Sequence, residues 1–177
     1  MKILVWDIPT RLFHWLFAGA FTLAWLTSDS DSWLNVHVFS GYLMLSLLGF
    51  RLIWGFIGGR YARFTSFLYN WKEGVAYVLQ VVTGNAKRHI GHNPAGSWAI
   101  YLLLTLGLLA GLSGMITLGG QEGQGPLAQW VPYWAGEAFK EVHEAVASIM
   151  LGVVVLHLAG VALESWRHRE NLPRAMV

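Results

Sequence analysis

Four histidines lie within long apolar segments of the chain: His14, His37, His143 and His157. The last two are 14 residues apart, which on one helix is about 21 Å of rise and about 40° short of four full turns. Both imidazoles therefore project from one face, near opposite sides of a bilayer whose apolar core is about 30 Å thick. Ionisable groups at such depth are costly unless they face the interior of a helical bundle and do work there. Two inward histidines towards each surface suit two bis-histidine haems, one above the other, able to carry electrons across a membrane. Zinc and copper also take imidazole, but a site for either needs three or four converging ligands. Two histidines per level leave such a site short, whereas a porphyrin supplies the other four ligands itself.

The elements that position these rings follow from composition. Hydrophobic residues make up 55% and charged residues 12% of 177 residues, against about 25% charged in a soluble protein. Apolar windows long enough to span occur at 9–27, 34–57, 96–118 and 141–166. The expected architecture is an all-α, up-down-up-down four-helix membrane bundle, a single domain over 1–177. Four spans leave no room for a soluble catalytic domain. The net charge of +2 is too small to imply nucleic acid. The absence of cysteine excludes disulfides, thiolate iron–sulfur clusters and covalently attached c-type haem. The first span reads as an uncleaved anchor, because no small-residue cleavage site follows its apolar stretch.

Of the twelve lysines and arginines, only Lys140 falls on one side of this topology, among Asp29, Asp31, Glu122, Glu137, Glu141 and Glu144. The others, from Lys2 and Arg11 to Arg174, fall on the opposite side, so both termini are expected in the cytoplasm. Trp25, Trp33, Trp130 and Trp134 mark the outer boundary and Trp6, Trp54, Trp98 and Trp166 the inner one, as an aromatic belt requires. Within the inner connection, 58–95, Trp71, Val75, Val78, Leu79 and Val82 recur at helical spacing. That predicts a helix on the cytoplasmic surface, ended by Gly84-Asn85. The outer loop, 119–139, is rich in glycine, proline and tryptophan, and either caps the bundle or docks a partner. Gly107, Gly111 and Gly114 of the third span are expected to let helices approach closely. Gly41, one turn after His37, leaves room for a flat ring.

Arg51 follows His37 by 14 residues, the same interval and hence the same face. An intramembrane guanidinium needs an anionic partner, which a haem propionate would supply; otherwise it snorkels to the surface. His89 and His92 sit in a cytoplasmic connection, where they either contact propionate, phosphate or quinone or belong to a plain solvated loop. By depth, the expected iron-ligand pairs are His14 with His157 and His37 with His143.

These stretches resemble the bacterial cytochrome b561 family, which is similar to the b-type cytochrome subunits of nickel–iron hydrogenases. The resemblance rests on Trp6-Asp7-Ile8-Pro9-Thr10-Arg11-Leu12-Phe13-His14-Trp15, the His37-x-x-x-Gly41 of span two, Arg51-Leu52-Ile53-Trp54-Gly55-Phe56, Gly91-His92-Asn93-Pro94-Ala95-Gly96 and the His143…His157 pair. It implies two non-covalent b haems on His14, His37, His143 and His157 in a multi-pass protein of the bacterial inner membrane. It further implies electron exchange between the membrane quinone pool and a periplasmic partner such as a c-type cytochrome. Members of the family differ, and a superoxide oxidase or the membrane anchor of a hydrogenase or dehydrogenase are the alternatives; homo-oligomers are compatible with all three. Arg11, Arg51, His89, His92 and Asn93 are the expected propionate or quinone contacts, with His92 on a quinone carbonyl and able to pass protons.

Overall fold

The protein begins its first helix on a capping carboxylate. Asp7 accepts the Thr10 backbone N–H at 3.0 Å, the N-cap arrangement, and Pro9 sits in the first turn, where its missing N–H leaves nothing unpaired. Asp7 also accepts the Trp54 indole N–H at 3.1 Å. Burial raises the Asp7 pKa, but hydrogen bonds from Thr10, Trp54 and the Gly59 backbone together hold it below its ordinary value. The computed structural model describes residues 5–177; Lys2, assigned above to the cytoplasmic side, lies outside the described residues.

The described residues are helical, with no strand among them. Helix α1 spans Ile8–Leu26, α2 Leu34–Ile57, α3 Trp71–Thr83, α4 Pro94–Gln121, α5 Tyr133–His168 and α6 Leu172–Ala175, with short 3-10 turns at Asp31–Trp33 and Phe64–Phe67. Three segments among the described residues are long and apolar enough to cross a membrane: Asp31–Ile57, Pro94–Gln121 and Tyr133–His168. The expected first span is present as α1, but its 19 residues carry Pro9, Thr10, Arg11 and His14 in the first two turns, and it does not reach that standard. Phe39, Ile53, Leu156 and Leu158 are exposed on the helices, as side chains that face hydrocarbon are.

The connection between α4 and α5 is shorter than the expected loop 119–139. Residues 119–121 finish α4 and residues 133–139 open α5. The Pro132 carbonyl accepts the N–H groups of Ala135 at 3.0 Å and Gly136 at 3.2 Å, starting α5 two turns before its apolar stretch. Helix α3 ends as expected. Gly84 takes φ 87°, and the Asn85 N–H reaches the Gln80 carbonyl at 2.9 Å, the Schellman pattern that glycine permits. Asn70 and Glu73 form a reciprocal capping box at the other end.

The chain divides into two compact units, one of residues 16–48 and 103–152, the other of residues 1–15, 49–102 and 153–177. The first is packed around Leu48 and Met150, both 1% exposed, with Phe21, Met44, Leu106 and Ala110. Glycine decides how closely its helices approach. A Cβ on Gly107 would meet Phe17 at 3.0 Å and Leu48 at 3.3 Å, one on Gly111 would overlap Leu45, and one on Gly120 would lie 2.6 Å from the Gly136 Cα. Small residues here permit the near contact of backbones that van der Waals packing in lipid requires. Its serines turn back on their own helices, Ser40 on the Val36 carbonyl at 2.8 Å and Ser113 on that of Leu109 at 2.7 Å, which keeps them paired among apolar neighbours, whereas the buried Tyr42 hydroxyl has no partner among the described residues.

The second unit is aromatic. Phe64 and Phe67 pack edge to face at 6.0 Å, and Phe67 stacks on Tyr101 at 5.5 Å. Phe67, Tyr77 and Ala62 are buried in it. The Arg11 guanidinium donates to the Val177 carbonyl at 2.7 Å and the Trp15 indole to that of Met176 at 2.8 Å, tying the segment after α5 to α1.

Candidate functional site

Within the first unit, α2 and α5 bring His37 and His143 together, with ring centroids 5.9 Å apart and planes at 81°. Each ring is oriented by a backbone carbonyl. The His37 Nδ1–H donates to Ala24 O at 2.9 Å and the His143 Nδ1–H to Ala110 O at 2.9 Å, which leaves both Nε2 atoms as lone-pair donors. A hydrogen bond from the far nitrogen is the usual means of fixing the tautomer of a ligating imidazole. His37 and His143 are thus the two residues of this unit that would hold a haem iron, each through Nε2. Gly114 is needed for the placement of His143, because a Cβ there would lie 3.0 Å from Cε1 and 3.1 Å from Nδ1 of that ring. A Cβ on Gly41 would meet nothing within 4 Å, so the face of α2 that carries His37 has space for a flat group.

In the second unit His14 lies on α1 and His157 on α5. His14 packs edge-on against Trp15 at 5.1 Å, and its buried Nδ1 has no hydrogen-bond partner. Among the described residues no group of three or more His, Cys, Asp or Glu converges on a metal position. Each pair thus offers two protein ligands, the number that a porphyrin leaves to the protein. The donor sets, the anchored tautomers and the space beside Gly41 fit haem b.

Arg51 does not snorkel. It is 3% exposed, Nη2 donates to the Ala62 carbonyl at 3.0 Å, and the guanidinium lies 4.8 Å from the Phe64 ring centroid. Its Nη1 is buried without a partner, the condition in which a cation most needs an anion such as a propionate.

The remaining candidate contacts are dispersed by the fold. Asn93 caps α4, its Oδ1 accepting the Gly96 N–H at 2.6 Å and its carbonyl the Ser97 N–H at 2.9 Å. Arg11 is engaged with the carbonyls of Trp6 and Val177. The His89 Nδ1 lies 3.0 Å from the Lys87 carbonyl, with the ring 5.2 Å from that of Tyr77. His92 packs against Phe67 at 4.2 Å and Trp6 at 4.5 Å. It lines a cleft of about 360 Å³ with Arg60, Tyr61, Ser66, Phe67, Tyr69 and Ile90.

Burial, then the charge of Arg51, push the His92 pKa down to about 3. The ring is therefore neutral near pH 7, where it offers a hydrogen bond. The unfolded chain protonates His92 near its ordinary value while the folded chain does not, so its burial destabilises the fold as pH falls from about 6.5 towards 3, by up to about 1.4 kcal/mol per unit. His92→Gln should accordingly lose less thermal stability than the parent between about pH 7 and pH 4. Equal losses in the two proteins would place the acid sensitivity elsewhere.

Sequence reasoning missed a second polar cluster in this unit. The Tyr77 hydroxyl lies 3.1 Å from Glu164 Oε1 and 3.1 Å from the Lys87 carbonyl, while His168 Nε2 lies 3.3 Å from Glu164 Oε2. Tyr77 and Glu164 are 87 positions apart, and no local pattern joins them.

The family model for prokaryotic cytochrome b561 matches residues 5–177. Three curated relatives are each named as a probable Ni/Fe-hydrogenase B-type cytochrome subunit. The protein of Rhodobacter capsulatus is 22% identical, over 99% of this chain and 80% of its own length. That of Azotobacter chroococcum is 26% identical, over 99% and 86%, and that of Rhizobium leguminosarum is 27% identical, over 61% and 56%. No solved structure matches the chain significantly.

Proposed function

The chain belongs to the prokaryotic cytochrome b561 family, a family of membrane cytochromes that bind b-type haem, and from that premise we propose that it transfers electrons across the bacterial inner membrane, through two haems, between the quinone pool and a periplasmic redox protein. The observation that carries this reading is the meeting of His37 and His143, which each fix their Nδ1 on a carbonyl and present Nε2. His14 and His157 form the other site. Haem b held there would supply one-electron iron exchange.

In this reading the chain is one domain, a four-helix up-down-up-down bundle with both termini in the cytoplasm. Helix α3 lies on the cytoplasmic surface. Its three sectors support that: Gly74, Tyr77 and Val81 are buried, Trp71, Val75, Val78, Leu79 and Val82 are exposed and apolar, and Lys72, Gln80 and Thr83 are polar. A helix lodged between protein, acyl chains and water needs those three faces. Arg51 neutralises a propionate of the His14/His157 haem. The cleft beside His92, within the usual volume range of ligand sites, receives the quinone head, with the neutral His92 as the donor to one of its carbonyls.

The names of the relatives favour a second reading, in which the chain anchors a hydrogenase or dehydrogenase and takes its electrons. The test uses purified protein in lipid nanodiscs. Pyridine haemochrome should give two haems b per chain, and a quinol should reduce both. Onward transfer to a basic c-type cytochrome should slow as salt rises, because Asp29, Asp31, Glu122, Glu137 and Glu141 make the outer surface acidic. Haems that no quinol reduces, while a co-purifying dehydrogenase does, would replace the first reading by the second.

A further inference from the structure

We propose that helix α3 and the segment leading into it bind an anionic phospholipid of the cytoplasmic leaflet, with Lys72 at the headgroup phosphate and the exposed apolar row of the helix along an acyl chain. The proposal rests on the surface placement of α3 given above, and adds to it the charge of the lipid and the residues that select it.

Charge is unbalanced in the unit that contains α3. It holds eleven of the twelve lysines and arginines but only four of the ten aspartates and glutamates. Each of those four is already engaged. Asp7 accepts from Thr10 and Trp54, and Glu73 accepts the Asn70 N–H at 2.9 Å in the capping box. Glu164 lies against Tyr77 and His168, and Glu170 pairs with Arg88 at 2.7 Å. Among the described residues Arg88 is the one lysine or arginine of this unit paired with an aspartate or glutamate. Three of the others lead into α3 or open it, and all three are exposed. Arg60 lies 5.9 Å from the Tyr61 ring centroid, Lys72 holds Nζ 5.8 Å from that of Trp71, and Arg63 gives Nε to the Gly58 carbonyl at 2.8 Å. Their counter-charge comes from outside the chain.

The neighbouring apolar row selects the kind of anion. Trp71, Val75, Val78, Leu79 and Val82 are each 50% exposed or more and share about 100° of the helix circumference, away from the buried Gly74, Tyr77 and Val81. Lys72 precedes Leu79 by seven residues, about 20° short of two full turns, and so borders this row. A lysine at such a border lays its stem along hydrocarbon and lifts its ammonium to headgroup depth. A phospholipid offers phosphate to the cation and hydrocarbon to the row; free phosphate or an acidic protein surface offers only the first. A zwitterionic lipid brings its own ammonium beside the phosphate, whereas a lipid of net negative charge does not. Each lysine or arginine at an anionic surface adds about fivefold to the attraction.

The test is native mass spectrometry of the purified chain in detergent, titrated with dioleoyl phosphatidylglycerol and, in parallel, dioleoyl phosphatidylcholine. The first phosphatidylglycerol should bind about tenfold more tightly than the first phosphatidylcholine. Lys72→Gln should weaken it about fivefold, and Arg60→Gln, Arg63→Gln and Lys72→Gln together should bring the two lipids level. Lys140→Gln, in the other unit, should change neither. Val78→Ser with Leu79→Ser should weaken both lipids alike. Equal affinities in the parent, a preference that survives the triple variant, or displacement of the lipid by millimolar inorganic phosphate overturns the proposal. The placement of α3 is read separately, from single cysteines in nanodiscs: Val78→Cys should resist a water-soluble maleimide and Gln80→Cys should react. A protected Val78→Cys with no lipid preference sinks the proposal alone; a Val78→Cys as reactive as Gln80→Cys removes the surface placement and the proposal with it.

Discussion

His143→Ala should leave about one haem b on each chain in place of two, and His157→Ala should do the same at the other site. The loss should be near complete in each case, because in the proposed reading a haem b with no covalent tether would depend on each imidazole for half of the protein's bonds to iron. The two variants should differ in which component disappears. His143 is held by Ala110 O at 2.9 Å and faces His37, so its removal spares the site of His14 and His157, and the converse holds for His157. Pyridine haemochrome on matched protein concentrations gives the stoichiometry, and low-temperature difference spectra with redox titration identify the surviving component. His37→Ala and His14→Ala should reproduce the spectra of their partners. Two haems retained in His143→Ala, or the same component lost from both His143→Ala and His157→Ala, would break the assignment of pairs.

Much of this was legible in the sequence because lipid simplifies the code. Residues 34–57 and 96–118 are apolar runs bounded by tryptophan and charge, and α2 and α4 begin and end within a few residues of them. The start of α5 was not legible in the same way. Its first two turns hold Trp134, Glu137 and Lys140 on exposed faces, which break the apolar run, and the signal that does exist is Pro132 just ahead of them. The histidines and Arg51 stood out by type, since ionisable groups are rare at that depth. Their local geometry did not. Ala24 and Ala110 anchor the rings through carbonyls that every residue possesses, so only the fold selects them. The capping role of Asp7 was open to recognition from Asp7-Ile8-Pro9-Thr10. Its bond to Trp54, and the meeting of Tyr77 with Glu164, are tertiary and leave no periodic trace.

Gly41→Leu separates the demands of the polypeptide from those of the haem. Gly41 follows His37 by one turn on α2, and a Cβ there would meet nothing within 4 Å, so the protein's own packing admits a larger residue. Leucine is also the better helix former by roughly 0.8 kcal/mol, and α2 itself should lose no stability. A porphyrin on His37 would lie across that face, and a branched side chain would occupy the space of the ring. The expected result is a chain that inserts and behaves as a monodisperse species like the parent, but carries about one haem, the His14/His157 component. Gly111→Leu is the contrasting change, because a side chain there overlaps Leu45 and should cost about 1–3 kcal/mol by overpacking whether or not haem is bound. Retention of both haems in Gly41→Leu would show that the ring plane at His37 avoids Gly41, and would move the haem-facing side of α2 elsewhere.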